Sequence, residues 1–92
     1  MTEPVVLAPR LDLPAASTLM ETLKDHDRDI TLDLSKVTYF GALCLQVVIA
    51  AATAVRAAGH NVSLVNASDR VVEQLRVMGQ SPESIAEGQN VA

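Results

Sequence analysis

The residues that could do chemistry are few and scattered. Asp25-His26-Asp27-Arg28-Asp29 places carboxylates at every second position, the spacing with which a calcium loop presents its oxygens. Such a loop then needs a glycine for its sharp turn and a distal bidentate acid, and Ile30 and Lys36 stand at those positions. The segment is read as a solvated turn. His26 and His60 have no Ser or Cys close in sequence, whereas a catalytic pair needs nucleophile and base within hydrogen-bond reach. Asp33 falls inside an alternating strand, where a polar side chain serves as an edge or cap partner. Cys44 falls in the first turn of a long helix, where the dipole can lower a thiol pKa. Its neighbours Leu43, Leu45, Val47 and Val48 favour a packed, inert thiol instead. The four glycines are isolated and build no phosphate-cradling loop. No enzymatic activity, metal or cofactor is expected.

The elements that would position these residues alternate between strand and helix. Val5-Val6-Leu7-Ala8, closed by Pro9, reads as a first strand. Asp12 and Pro14 announce a helix with Leu19, Leu23 and Met20 on its apolar stripe and Glu21, Lys24 and Asp25 in water. Ile30-Thr31-Leu32-Asp33-Leu34 has a period of two, Ser35-Lys36 turns, and Val37 points back to the core. After Gly41 a long helix runs from about Ala42 to Ala58, apolar nearly all round, with an outer stripe of Ala42, Gln46, Ile49, Thr53 and Arg56. Gly59 is its expected stop. Asn61 to Val65 is another alternating strand, and Ser68 caps a helix over Asp69 to Val77 that Gly79 ends. Ser81-Pro82 starts a short helix to about Glu87, and Gly88 to Ala92 is a tail. This order predicts an α/β fold: a mixed, mostly parallel sheet of four to five strands with helices packed on it.

Composition narrows the function. Ninety-two residues make a single domain, with a core over about 4–80. Seven basic residues against eleven acidic ones give a net charge of −4. That field repels phosphate backbones, and Tyr39 and Phe40 alone make no stacking platform, so no nucleic-acid partner is expected. One cysteine cannot form an intramolecular disulfide. Met-Thr-Glu-Pro opens without a basic region, and the apolar stretch from Tyr39 to Val55 is shorter than the ~20 residues of a membrane span. A buried helix, no direct membrane insertion and a cytoplasmic location are expected.

Leu32-Asp33-Leu34-Ser35-Lys36-Val37-Thr38-Tyr39-Phe40, followed by a helix near Ala42, resembles the STAS domain of anti-sigma factor antagonists. Arg10-Leu11-Asp12 resembles a turn those domains carry. Gly59-His60-Asn61-Val62-Ser63-Leu64-Val65-Asn66, with the Ser68-capped helix ending in Arg76-Val77-Met78-Gly79, is similar to their second half. The resemblance implies a STAS-type fold over about residues 4 to 80.

Family members read Asp-Ser-Ser/Thr-Gly-Leu at the start of the long helix, where a partner kinase phosphorylates the hydroxyl. Aligned by Val37 and Leu45, this chain reads Gly41-Ala42-Leu43-Cys44-Leu45. Gly41 replaces the acid, and Ala42 becomes a degenerate phosphoacceptor position beside Leu43. The charge switch at this helix start is absent. Thr38 and Ser35 are the nearest hydroxyls.

The wording Gly-Ala-Leu-Cys-Leu-Gln is similar to STAS proteins that accompany bacterial chemotaxis systems. The implied function is a non-enzymatic adaptor in bacterial chemotaxis or two-component signalling, binding a kinase or chemotaxis component through Thr38, Tyr39, Gly41, Ala42, Leu43 and Gln46. Alternatives are a STAS subunit of an ABC-type lipid transporter and an anti-sigma factor antagonist phosphorylated at a displaced hydroxyl. A weak homodimer is a further outcome if the apolar helix start is left uncovered.

Overall fold

The computed structural model describes residues 4–24 and 27–87 of the chain. Asp25, His26 and the Gly88 to Ala92 tail lie outside the described residues. The elements run β1 (Val5–Val6), β2 (Arg10–Leu11), a 3-10 turn (Leu13–Ala15), α1 (Ala16–Thr22), β3 (Ile30–Asp33), β4 (Tyr39–Phe40), α2 (Ala42–Ala57), β5 (Val62–Val65), α3 (Asp69–Val77) and α4 (Pro82–Ala86).

Period-two alternation builds the main sheet. β3 lies between β1 and β5, parallel to both, with Val5 opposite Leu32 and Leu32 opposite Leu64. Ile30, Leu32 and the following Leu34 are buried, while Thr31 and Asp33 point to the half-exposed side. α2 and α4 pack on β5, and α1 packs on α2.

The strands among the described residues divide into three plus two, rather than forming one sheet, and every pairing is parallel. Pro9 stands where the chain passes from β1 to β2, and a proline has no N–H to continue a ladder. Its carbonyl still accepts from the backbone of Thr38 and Tyr39 at 2.8 and 3.2 Å, and from there β2 pairs with β4. Leu11 and Phe40 tie this small ladder to the common core.

Helix limits follow the caps. α2 is free of internal glycine and proline and rich in alanine, and it buries Cys44, Val48 and Val55 along one side. It ends in a Schellman arrangement: Gly59 takes φ +89°, its N–H donates to Arg56, and the N–H of His60 donates to Val55. Gly79 ends α3 in the same way, with bonds to Arg76 and from Gln80 to Leu75. The hydroxyl of Ser68 accepts from Val71 N–H, and Ser81 forms a capping box with Ser84.

Three expectations are corrected. Asp12 and Pro14 start a 3-10 turn before α1 rather than the α-helix itself. Met20 is not a core residue: Leu19 and Leu23 are buried, but Met20, one position round the helix, is 58% exposed. The open face of α2 is wider than the expected stripe, because Leu43, Ala50 and Ala57 are also exposed while Ile49 is half-buried.

Candidate functional site

The start of α2 is set by the short ladder before it. In β4, Phe40 points inward and Tyr39 outward, the latter 43% exposed. Parallel register puts Arg10 opposite Tyr39, and the guanidinium lies 5.2 Å from the ring centroid. At an exposed site this cation–π contact contributes about 0.5–1 kcal/mol. Arg10 Nε also reaches Asp12 Oδ2 at 3.3 Å. Thr38 is exposed, but its hydroxyl donates to the carbonyl of Pro9 at 3.1 Å.

Gly41 differs from the surface role expected of it. It is buried, with ordinary extended backbone angles, and its N–H donates to Leu11 O at 2.8 Å. A Cβ here would lie 2.8 Å from that same carbonyl and 3.2 Å from the Tyr39 ring. The glycine is needed because the chain's own β2 approaches closely; it shapes the site from within.

Beyond Gly41 the surface turns apolar. Ala42, Leu43 and Gln46 are all exposed, Leu43 by 44%. Leu43 and Met20 flank a groove of about 410 Å³ between α1 and α2, whose lining includes Leu23, Val47 and Ala50. A second groove of about 870 Å³ lies on the other side, lined in part by Ala42, Ile49, Met78 and Gln80. Gln46 and Ala50 line both, so this face of α2 is a ridge between two grooves. Lys24 is the charged residue at the edge of the smaller groove, and its ammonium meets Glu21 at 2.9 Å. The ridge brings together Ala42, Leu43 and Gln46; Thr38 and Tyr39 precede it in the chain and line neither groove.

The other polar groups singled out in the sequence do structural work. Asp33 accepts from the backbone N–H of Ser35 at 2.9 Å and from the Asn66 amide at 3.3 Å. The Ser35 N–H chiefly, with help from the Ser35 side chain and Asn66, holds the Asp33 carboxyl below the usual aspartate range. Cys44 is fully buried, and its thiol donates to Asp12 O at 3.3 Å. Burial, and then the negative charge of Asp12, push this thiol up, as a packed, inert cysteine requires. His60 lies 3.6 Å from Asp27 Oδ1 and 3.5 Å from Asp29 Oδ1. Asp29 also accepts from the backbone of Asn61, so the described part of the acidic segment is a turn packed beside an imidazole. Among the described residues, no group of three or more His, Cys, Asp and Glu side chains is placed to hold a metal ion. Ala42, at the first position of α2, has no oxygen to carry a phosphate, and Ser35 is exposed in its turn.

Sequence reasoning missed Gln74. Its Oε1 accepts from Phe40 N–H at 2.8 Å, and its Nε2 donates to Thr38 O at 3.0 Å. A glutamine on a polar helix carries no mark of partners 34 and 36 residues away. Only the fold brings them together.

The parallel α/β core and the glycine-led, apolar start of α2 describe a small α/β domain. The chain belongs to the STAS domain family: residues 2–81 match the family model described as "Mlab, STAS domain". No curated protein matches the chain. STAS membership suggests a signalling role of the anti-sigma-antagonist kind. No helix among the described residues is long and apolar enough to cross a membrane.

Proposed function

We propose that this STAS domain is a non-enzymatic, cytoplasmic adaptor in bacterial signal transduction, of the chemotaxis or two-component kind. Its signalling partner lays an apolar helix or loop along the α2 ridge, against Ala42, Leu43 and Gln46, with Tyr39 at the edge. The observation that carries this reading is the exposure of Leu43 and Met20 around one groove at the helix start. Two large apolar side chains left open beside each other favour a contact surface. Ala42 offers no acceptor for phosphate, so binding here is constitutive rather than switched at that position.

The test is capture of the native partner by tagged protein, followed by mass spectrometry and titration of the protein identified. Ala42→Arg and Leu43→Arg place a charge on the ridge, and each is expected to reduce affinity at least tenfold while the fold is kept. Wild-type affinity in both would reject this surface.

A second reading puts the ATPase of an ABC-type lipid transporter in the partner's place. The observation that favours it is that the matched family is the one described as Mlab. Co-purification of an ATPase, rather than a kinase or chemotaxis component, would decide for it.

A further inference from the structure

We propose that Gln74 is the positioning residue for the partner-binding ridge: its side-chain amide stands in for a missing third strand and fixes where α2 begins. This rests on the reading of that ridge as the docking surface.

The β2–β4 ladder is only two residues deep on each strand. So short a pair is marginal without a third partner or a packed face. On one edge of β4, the backbone N–H groups of Tyr39 and Gly41 donate to Pro9 and Leu11. Phe40 N–H and Thr38 C=O lie on the opposite edge, and Gln74 meets both. One carboxamide thus supplies the acceptor and the donor that a neighbouring strand would supply.

The consequence reaches α2 because β4 runs into it through Gly41 alone. The helix has no side-chain cap and no acidic residue in its first turn. Its start is therefore located by the strand that feeds it, and that strand is held from α3. Tyr39, inside the held segment, and Leu43, three residues beyond it, belong to the proposed contact surface. Gln74 does not.

Glutamate at position 74 makes the idea testable, since it is nearly isosteric. An ionised carboxylate still accepts from Phe40 N–H, but it turns a second oxygen toward Thr38 O. A protonated one restores the donor. The carboxyl should therefore titrate above the ordinary glutamate value of about 4.3. Gln74→Met keeps the volume and loses both bonds at every pH.

The experiment follows backbone amide resonances of residues 38–43, with the near-ultraviolet signal of Tyr39, the sole tyrosine in a chain without tryptophan. Wild type, Gln74→Glu and Gln74→Met are compared between pH 4.5 and 7.5. At pH 7.5 both variants are expected to shift these amides and Tyr39, and to bind the identified partner about tenfold more weakly. On acidification Gln74→Glu returns toward wild type; Gln74→Met does not. The proposal is overturned if both variants keep wild-type amides at pH 7.5, or if Gln74→Glu does not recover in acid. It is overturned equally if the amides move while affinity stays wild type and Leu43→Arg still abolishes binding. Wild-type affinity in Leu43→Arg would instead defeat the docking surface, a separate failure, because the titration of the amides needs no partner.

Discussion

α2 and α3 begin in opposite ways. α3 begins with Ser68, whose hydroxyl accepts from Val71 N–H, and carries Asp69 in its first turn. It satisfies its own first turn and shows a polar start. α2 begins at Gly41, with neither a capping side chain nor an acid, and turns Ala42 and Leu43 outward. At α2 no side chain caps the first turn; the segment leading into it is held by distant groups instead, the Leu11 carbonyl on Gly41 N–H and the Gln74 amide on Phe40 N–H and Thr38 C=O. A helix start held from outside needs no polar residue of its own, and its surface is left free for an apolar contact.

The sharpest way to break this contrast is to give α2 what α3 has. Gly41→Ser introduces a capping hydroxyl, which at an ordinary helix start would stabilise. Here its Cβ meets Leu11 O at 2.8 Å, so it is expected to destabilise by about 2 kcal/mol, and Gly41→Val by about 3 kcal/mol. Urea unfolding midpoints at unchanged slope would show both. A stabilising Gly41→Ser would mean that the start of α2 lacks only a cap.

The converse change at α3 is smaller. Ser68→Ala removes the cap on Val71 N–H and should cost about 1 kcal/mol, read in the same unfolding series. Leu43→Arg is expected to stay within about 0.5 kcal/mol of wild type, because the side chain is 44% exposed and the arginine stem can cover the same apolar surface with its charge in water. Its effect belongs to binding alone.

How far these features could be read from the sequence depended on how local their causes are. β3 and β5 followed from period-two alternation, and the ends of α2 and α3 from Gly59 and Gly79, because each signal sits within the element it shapes. Ser68 was legible for the same reason. β2 and β4 were not: a strand of two residues has no period, and its pairing depends on residues 29 positions apart, as between Arg10 and Tyr39. Tyr39-Phe40 instead looked like part of the long apolar run. Hydropathy alone places Met20 on the apolar stripe, because it does not separate a covered helix face from an open one. The open ridge was read in part: Ala42 and Gln46 were expected outside, while the exposure of Leu43 depended on packing at α1. Gly41 is expected on the partner surface, and its close neighbour is the chain's own Leu11.

The smallest expected effect concerns acid. Asp33 has a depressed pKa in the folded state, so its contribution is present above the unfolded value and is lost as pH falls through the folded one. Asp33→Asn should therefore flatten the acid limb of the stability curve below about pH 4, and leave α2 and its ridge unaltered. Thermal unfolding between pH 2.5 and 7 would show this. A change in partner affinity in Asp33→Asn would extend the site to the end of β3.

In the proposed arrangement the partner docks on the apolar start of α2 and not on the exposed apolar end of α3. Titration of the identified partner against Leu43→Arg and against Val77→Arg, which charges an 80% exposed residue at the end of α3, separates the two surfaces. At least a tenfold loss of affinity is expected for Leu43→Arg at unchanged melting temperature, and wild-type affinity for Val77→Arg. Equal affinities in the two variants, or loss only in Val77→Arg, would contradict it.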